Sequence, residues 1–158
     1  MTNKFSWTTV VLFLALISTI PSCTKEELED PIVEAFIEGA KVGFTDFDGV
    51  INSPLNLITV TASNTAQSTT LNVYIRGTAI GDYTGVGASS DKGAIGLQVG
   101  TQYYYSDLAG GLANIKYTER DDDEMIIKGT FSGVVVNQTD PNDKRDISNG
   151  IFRTKFSF

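Results

Sequence analysis

The 158-residue sequence contains no histidine, one cysteine, one tryptophan and no clustered lysine and arginine face. Without histidine the chain cannot form a Ser-His-Asp triad, a Cys-His dyad or a His-ligated zinc site. It also lacks the usual general base near neutral pH. Nucleic acid binding requires a basic surface that neutralises phosphates, whereas the net charge here is −7. We therefore predict no cofactor, no metal-site residues and no nucleic acid partner, while the sequence leaves any metal dependence open.

The length and composition predict one folded domain. A chain of this length has room for a single domain that buries about two-thirds of the surface its unfolded form exposes. The apolar fraction of 41% is ordinary for a globular protein. A single cysteine cannot form an internal disulfide, so the cysteine count leaves the redox compartment of the protein open.

The first 22 residues have the pattern of a secretory signal peptide. Lys4 supplies a positive charge, residues 10–17 (VVLFLALI) form a short apolar run, and residues 18–22 (STIPS) are mostly small. The apolar run is shorter than the ~20 residues that a membrane-spanning helix requires. We therefore expect residues 1–22 to be a signal peptide that takes no part in the fold.

Cys23 follows this segment directly, in the sequence ISTIPSC. The arrangement resembles the bacterial lipoprotein signal, in which the chain is cut before the cysteine and the sulfur carries a diacylglycerol. The resemblance implies that Cys23 is lipidated and that the lipid attaches the protein to a membrane, since two or more acyl chains make a stable anchor. The alternative is a free or buried cysteine of a cytosolic protein, which fits poorly with the polar neighbours of Cys23.

Lys25, Glu26 and Glu27 follow the cysteine closely. Their order resembles the export tag of Bacteroidota surface lipoproteins, which implies an outer-membrane location facing outward, with the periplasmic face as the alternative. A charge run near a terminus can equally be a generic solvated tether. In either case the acidic, proline-bearing residues 23–31 are predicted to be a lipidated linker that precedes the folded domain.

Residues 32–158 are predicted to form one all-β domain, an antiparallel β-sandwich or a flattened β-barrel. Apolar and polar residues alternate, and Gly, Asn, Asp and Ser interrupt them roughly every ten residues. The clearest hairpin joins residues 56–63 to 69–77, where Leu71, Val73 and Ile75 share one face. Further strands are predicted at 35–44, 79–85, 94–106, 112–120, 124–138 and 146–158. In the last of these, Phe152, Thr154, Phe156 and Phe158 are expected to share a buried face.

Three short motifs contain paired glycine and aromatic residues: GDYTG at 81–85, GTFSG at 129–133 and ISNGIF at 147–152. Together they resemble a family of uncharacterised Bacteroidota lipoproteins, chiefly over the C-terminal half of the chain. The resemblance implies the fold and the location. It implies no activity, because that family has none to carry over.

The acidic clusters are predicted to be turns. DFDG at 46–49 resembles the start of a calcium loop, but no further ligands and no distal glutamate follow it, so we expect a plain loop. RDDDE at 120–124 and TDPNDKRD at 139–146 each lie between two predicted strands and have turn composition. Repulsion among adjacent aspartates would favour a bound cation, yet a solvated turn accounts for them equally well.

The segment YYYS at 103–106 supplies the candidate ligand-binding residues Tyr103, Tyr104 and Tyr105. In a strand, Tyr103 and Tyr105 face one way and Tyr104 the other, so at least one ring is expected at the surface. Exposed tyrosines stack on sugar rings and form hydrogen bonds through their hydroxyls. The alternative is packing in the core or on the sheet surface.

These observations predict a non-catalytic extracellular binding module for a glycan or a peptide, held at the outer membrane by its lipid. One alternative is a structural protein that interacts with other envelope components. The other is a hydrolase, which would need two carboxylates facing one cleft. The sequence leaves the ligand and the oligomeric state open.

Overall fold

The structure is a computed structural model that describes residues 30–89 and 92–158. The predicted signal peptide (1–22) and most of the predicted linker (23–31), including Cys23, Lys25, Glu26 and Glu27, lie outside the described residues. In the part that is described, no helix has the length and hydropathy needed to span a bilayer.

The described residues form eleven β-strands and three short 3-10 turns, which confirms the predicted all-β class. The strands are β1 Ile32–Ile37, β2 Ala40–Gly43, β3 Asp46–Asn52, β4 Leu57–Asn64, β5 Thr69–Arg76, β6 Gly81–Val86, β7 Gly93–Val99, β8 Gln102–Tyr105, β9 Leu112–Asp121, β10 Ile126–Asn137 and β11 Lys144–Ser157. The turns cover Ser53–Leu55, Thr65–Gln67 and Gly87–Ser89.

The strands form one sheet that closes on itself. Their order is β2-β1-β11-β3-β4-β5-β7-β8-β10-β9-β6, and an additional pairing of β10 with β11 completes the ring. We call β2-β1-β11-β10-β9-β6 the six-stranded layer and β3-β4-β5-β7-β8 the five-stranded layer. Strand pairing joins the two layers where β11 meets β3 and where β10 meets β8, over two residue pairs each. The result is a flattened barrel whose two layers face each other as in a sandwich.

Every strand pair is antiparallel, as predicted, except the short parallel contact of β11 with β3. One hydrophobic core fills the interior, and strands of both layers contribute to it. Leu71, Val73 and Ile75 of β5 are buried on one face, as the alternation predicts. In β11 the predicted burial of the aromatic face is correct except at its end, because Phe158 lies beyond the strand and is 72% exposed.

Two predicted strands are in fact hairpins. Residues 35–44 divide into β1 and β2 around a two-residue turn, Glu38–Gly39, in which both residues have positive φ (51° and 77°). Such a turn matches the right-handed twist of paired strands and leaves little trace in the alternation. Residues 94–106 likewise divide into β7 and β8 around a turn that begins at Gly100.

The predicted loop at 46–49 is wrong, because these residues begin β3 and pair with β4. The segment from Asp46 to Asn52 alternates between more exposed and more buried residues, so its period of two places the acidic side chains on the solvent side. The two other acidic clusters do contain turns, as predicted. RDDDE supplies the β9–β10 turn, and TDPNDKRD supplies the β10–β11 turn and the first residues of β11.

The GTF and GIF sequences of β10 and β11 pair reciprocally. Gly129 lies opposite Phe152, and Phe131 lies opposite Gly150. A Cβ atom on either glycine would overlap the phenylalanine ring across from it. Each ring therefore covers the glycine of the neighbouring strand, and all four residues face the core.

Candidate functional site

A groove of about 510 Å³ lies on the outer face of the five-stranded layer. We call it the tyrosine groove. Its lining comes from β4, β5, β7, β8 and the segments that flank them: Leu55, Leu57, Tyr74, Arg76, Ala94, Ile95, Tyr105 and Asp107. The volume falls within the range of roughly 300–1,000 Å³ that is usual for small-ligand sites.

Small residues on β7 make room for the two tyrosine rings. Tyr74 of β5 lies opposite Ala94, and Tyr105 of β8 lies opposite Gly96. A Cβ atom built on Gly96 would lie 3.5 Å and 3.6 Å from the Cδ1 and Cε1 atoms of Tyr105, so the Tyr105 ring rests over that glycine. Both tyrosines are half-buried, which leaves part of each ring in contact with solvent.

The two tyrosines are also electrostatic neighbours. The pKa of the Tyr74 hydroxyl is raised above its ordinary value, chiefly by burial and further by Tyr105 and the Asp107 carboxylate. Tyr74 therefore keeps its proton at neutral pH and can donate a hydrogen bond. Tyr105 and Asp107 line the same groove as Tyr74.

Two charged side chains of opposite sign complete the lining. Arg76 is the last residue of β5, and Asp107 follows β8 by two positions. Within residues 30–89 and 92–158, neither side chain forms an ion pair or a hydrogen bond. A guanidinium and a carboxylate are thus both available to a ligand, with a net charge of zero between them.

The three candidate tyrosines occupy three different environments. Tyr105 lines the groove, whereas Tyr103 is 44% exposed on the same face but outside the lining. Tyr104 is 0% exposed, because the alternation of β8 turns it into the core. The predicted facing of the three rings is correct, but only Tyr105 contributes to the groove.

The Tyr104 hydroxyl forms hydrogen bonds that connect β8 to the β10–β11 turn. Its hydroxyl lies 2.8 Å from Gln102 Oε1 and 2.8 Å from Asp143 Oδ2. Asn137 Nδ2 donates to the same carboxylate oxygen over 2.9 Å. These hydrogen bonds, from Asn137 and then Tyr104, lower the pKa of the Asp143 carboxyl below its ordinary value. The guanidinium of Arg145 lies 5.5 Å from the centre of the Tyr104 ring, a cation–π distance.

The RDDDE cluster stabilises its own turn. Arg120 Nε pairs with Asp122 over 2.6 Å, and the Asp121 carboxylate accepts hydrogen bonds from the backbone N–H groups of Asp123 and Glu124. These contacts give the acidic side chains partners inside the turn. In the described ranges no three Cys, Asp or Glu side chains are grouped in a way that could hold a metal ion.

Tyr74, Arg76 and Asp107 were not predicted as site residues. The sequence does carry one signal for Tyr74 and Arg76, since both lie on the solvent-facing side of a strand whose other side is apolar. Nothing in the local sequence indicates that β5 lies two strands away from β8, the strand that contains the three tyrosines, with β7 between them. That adjacency follows from the pairing of β5 with β7 and of β7 with β8.

Comparisons of the chain with protein-family models, with curated proteins and with solved structures found no match. The resemblance of the three glycine and aromatic motifs to Bacteroidota lipoproteins therefore stays a prediction.

Proposed function

We propose that the protein is a non-catalytic extracellular binding module whose tyrosine groove takes a sugar ring of a glycan. The observation that carries this proposal is a groove of about 510 Å³ whose lining combines Tyr74 and Tyr105 with the side chains of Arg76 and Asp107, which have no partner among the described residues. Aromatic faces stack on the apolar faces of sugar rings, while charged side chains bind the hydroxyls at the ring edge.

The expected affinity is modest. Two aromatic contacts at about 0.5–1.5 kcal/mol each and two hydrogen bonds to charged groups at about 1.5–3 kcal/mol each favour binding by about 4–9 kcal/mol. The cost of immobilising the ligand must be subtracted, so a dissociation constant weaker than about 1 μM is expected for one chain. The cancelling charges of Arg76 and Asp107 favour a neutral glycan.

A peptide is the second candidate, because one wall of the groove is aliphatic. Leu55 is 69% exposed and lies beside Leu57 in the lining, where an apolar side chain of a peptide could pack. A hydrolase is less well supported, since Asp107 is the one carboxylate in this lining and most glycosidases use a facing pair.

The proposal includes attachment to the outer membrane, facing outward, through a lipid on Cys23. Its support is the sequence of residues 1–27, which lies outside the described residues. Mass spectrometry of native protein is expected to show a chain that begins at a diacylglyceryl-modified Cys23 and lacks residues 1–22. A Cys23→Ser variant is expected to lose the lipid mass and leave the membrane fraction. An unmodified thiol with residues 1–22 still attached would contradict the anchor.

Binding is tested with the full-length protein on a glycan array and a peptide array, followed by titration with any ligand found. Tyr74→Ala and Tyr105→Ala are each expected to weaken glycan binding by about tenfold, the loss of one aromatic contact. Tyr103→Ala is the matched control, because Tyr103 is exposed on the same strand but lies outside the groove. It is expected to bind within about twofold of the wild type.

Other results of the array and titration experiments would refute the site or the ligand class, or would favour one of the alternative functions. Glycan binding that is unchanged in both groove variants would refute the site, and an array without glycan binding would refute the ligand class. Peptide binding that depends on Tyr74 and Tyr105 would favour the second candidate. An absence of both ligands, together with envelope proteins that co-purify with the wild type, would favour the structural alternative.

A further inference from the structure

A second groove, of about 690 Å³, lies on the outer face of the six-stranded layer. We call it the polar groove. Strands β6, β9, β10 and β11 line it, and its polar side chains include Asp82, Thr84, Asn114, Lys116, Ser132 and Asn149. Because it lies on the other layer of the barrel, it shares no lining residue with the tyrosine groove.

The polar side chains are arranged in two rows that run across β6, β9 and β10. The rows are Asp82–Lys116–Thr130 and Thr84–Asn114–Ser132. Neighbouring strands are about 4.8 Å apart, so each row extends for about 10 Å across the sheet. Rows of this length present several hydrogen-bonding groups to one extended ligand.

These side chains have no partners among the described residues. Asp82 and Lys116 lie directly opposite each other but form no ion pair, whereas Lys128 and Glu119 on the adjoining part of β9 and β10 pair over 2.9 Å. The Asn114 amide likewise makes no hydrogen bond within the described part of the chain. The groove therefore offers donors and acceptors whose capacity is not used by the fold.

A β-bulge shapes one side of the groove. Between the pairs Phe131–Gly150 and Gly133–Ile147, β11 contains one more residue than β10. The bulge includes Asn149, whose φ of 49° is a left-handed conformation that asparagine tolerates better than most residues. Bulges redirect side chains next to functional sites, and here the bulge places Asn149 in the groove lining.

The three motifs singled out in the sequence meet in this groove. GDYTG contributes Asp82 and Thr84, GTFSG contributes Ser132, and ISNGIF contributes Asn149. In each motif the aromatic residue and at least one glycine are turned toward the core or the sheet, and polar residues are turned outward. The polar residues of these motifs thus have no packing role inside the barrel.

We propose that the polar groove is a second binding site, for an uncharged oligosaccharide chain. Sugar hydroxyls both donate and accept hydrogen bonds, which suits a surface of amides, hydroxyls and one charge of each sign. An added peptide strand could pair only with β6 at the end of the sheet, because β9, β10 and β11 already have a neighbour on each side in this region, so it would not lie across the two polar rows. The lining also contains Ile115, Phe131 and Ile151, but Ile115 and Phe131 are only 2% and 3% exposed, so the side chains that reach into the groove are mainly polar.

This inference does not depend on the tyrosine groove. If both sites bind glycan, one molecule engages two chains, or two segments of one chain, and its avidity exceeds the affinity of either site alone. A lipid-anchored molecule with two such sites would hold polysaccharide at the membrane surface.

The test uses full-length protein and titration calorimetry with four uncharged probes: maltohexaose, cellohexaose, mannohexaose and xylohexaose. The background is the Tyr74→Ala/Tyr105→Ala variant, in which only the polar groove is intact. At least one probe is expected to bind this variant. Adding Asn114→Ala/Ser132→Ala is expected to weaken that binding by about tenfold or more, since two hydrogen-bonding side chains are lost.

Two further variants separate binding from folding. Asn149→Gly removes the amide but keeps the left-handed backbone accessible, so it is expected to fold normally and to bind several-fold more weakly. Glu119→Ala is the control, because Glu119 is an exposed residue of β9 outside the groove, and binding within about twofold of the background is expected. Circular dichroism and the urea midpoint confirm that each variant is folded.

Two results would overturn the inference: none of the four probes binds the tyrosine-deficient background, or binding persists unchanged after Asn114→Ala/Ser132→Ala. Neither result bears on the tyrosine groove, which is tested by comparing the wild type with Tyr74→Ala and Tyr105→Ala. Conversely, binding to the background that depends on Asn114 would support the polar groove even if the tyrosine groove proves inert.

Discussion

The reciprocal pairing of glycine and phenylalanine across β10 and β11 predicts that alanine is not tolerated at Gly129 or Gly150. A methyl group at Gly150 would lie 2.5 Å from Cδ2 of the Phe131 ring. At Gly129 it would overlap the Phe152 ring and would also lie 2.5 Å from the backbone carbonyl oxygen of Lys116 on β9. Both rings are buried in the core, so neither can turn away into solvent.

The two substitutions are expected to differ in cost. Overpacking a well-filled core costs about 1–3 kcal/mol, and the value depends on what can move. At Gly150 only the Phe131 ring must shift, which places Gly150→Ala near the lower end. At Gly129 a ring and the backbone of a neighbouring strand must both shift, so Gly129→Ala is expected near the upper end.

Urea unfolding, followed by far-UV circular dichroism, measures these costs. Gly43→Ala is the control, because Gly43 lies in a strand with no atom within 4 Å of the added methyl group. Its free energy of unfolding is expected to stay within about 0.5 kcal/mol of the wild type.

A double-mutant cycle identifies the cause. Phe131→Ala alone is expected to cost about 3–5 kcal/mol. In the presence of Phe131→Ala, the Gly150→Ala substitution no longer meets a ring and is expected to add no further cost, which corresponds to a coupling of about 1 kcal/mol. The reasoning is refuted if Gly129→Ala and Gly150→Ala both unfold within 0.5 kcal/mol of the wild type, or if the costs in the cycle simply add.

Three further predictions concern single hydroxyls and turns. Because hydrogen bonds lower the pKa of Asp143, the folded state loses stability as the pH falls below about 5. Tyr104→Phe removes one of these hydrogen bonds, so urea unfolding is expected to show a less stable protein at pH 7 and a smaller loss of stability between pH 7 and pH 3. Burial raises the pKa of Tyr117 to about 12, so stability falls as the pH rises from about 10 to 12. Tyr117→Phe is expected to remove that alkaline loss, which an absorbance titration of the phenols and urea unfolding between pH 7 and pH 12 measure. Because the Tyr117 hydroxyl has no hydrogen bond within the described residues, the variant is not expected to be less stable at pH 7, and a lower urea midpoint at pH 7 would contradict this reasoning. Ser68 has a φ of 49° and Gly39 a φ of 77°, a region in which glycine is less strained than other residues. Ser68→Gly is therefore expected to raise the thermal midpoint, and Gly39→Ala is expected to lower the free energy of unfolding by about 1 kcal/mol. Changes of the opposite sign would contradict the argument from backbone strain.

The strand pattern was largely predictable because it is local. Residues 56–63 and 69–77 match β4 and β5 closely, and the alternation of β5 correctly identified its buried face. The two predicted strands that are in fact hairpins, residues 35–44 and 94–106, each contain a two-residue turn that hardly disturbs the alternation of apolar and polar residues. Glu38 is an unusual residue for a left-handed turn position, and the pairing of β1 with β2 holds it there.

The candidate site was predictable only in part, for a related reason. The facing of Tyr103, Tyr104 and Tyr105 follows from the two-residue period of one strand. Tyr74 and Arg76 could not be added to them from the sequence, since they belong to β5, whereas Asp107 lies only two positions after Tyr105. The bulge at Asn149 was equally hidden, because it exists only as a mismatch in length between two paired strands.

The amino-acid sequence by itself determined the class of the fold, most strand positions and which side of each strand is apolar, because those properties depend on neighbours within a few residues. Apart from the hairpin of β4 with β5, the tertiary structure decided which strands lie side by side, including the contact of β11 with β3, which joins residues more than 100 positions apart. The pairing of β5 with β7 and of β7 with β8 brings Tyr74 and Tyr105 into one groove, since no local pattern specifies the partner of a strand that is distant in the sequence.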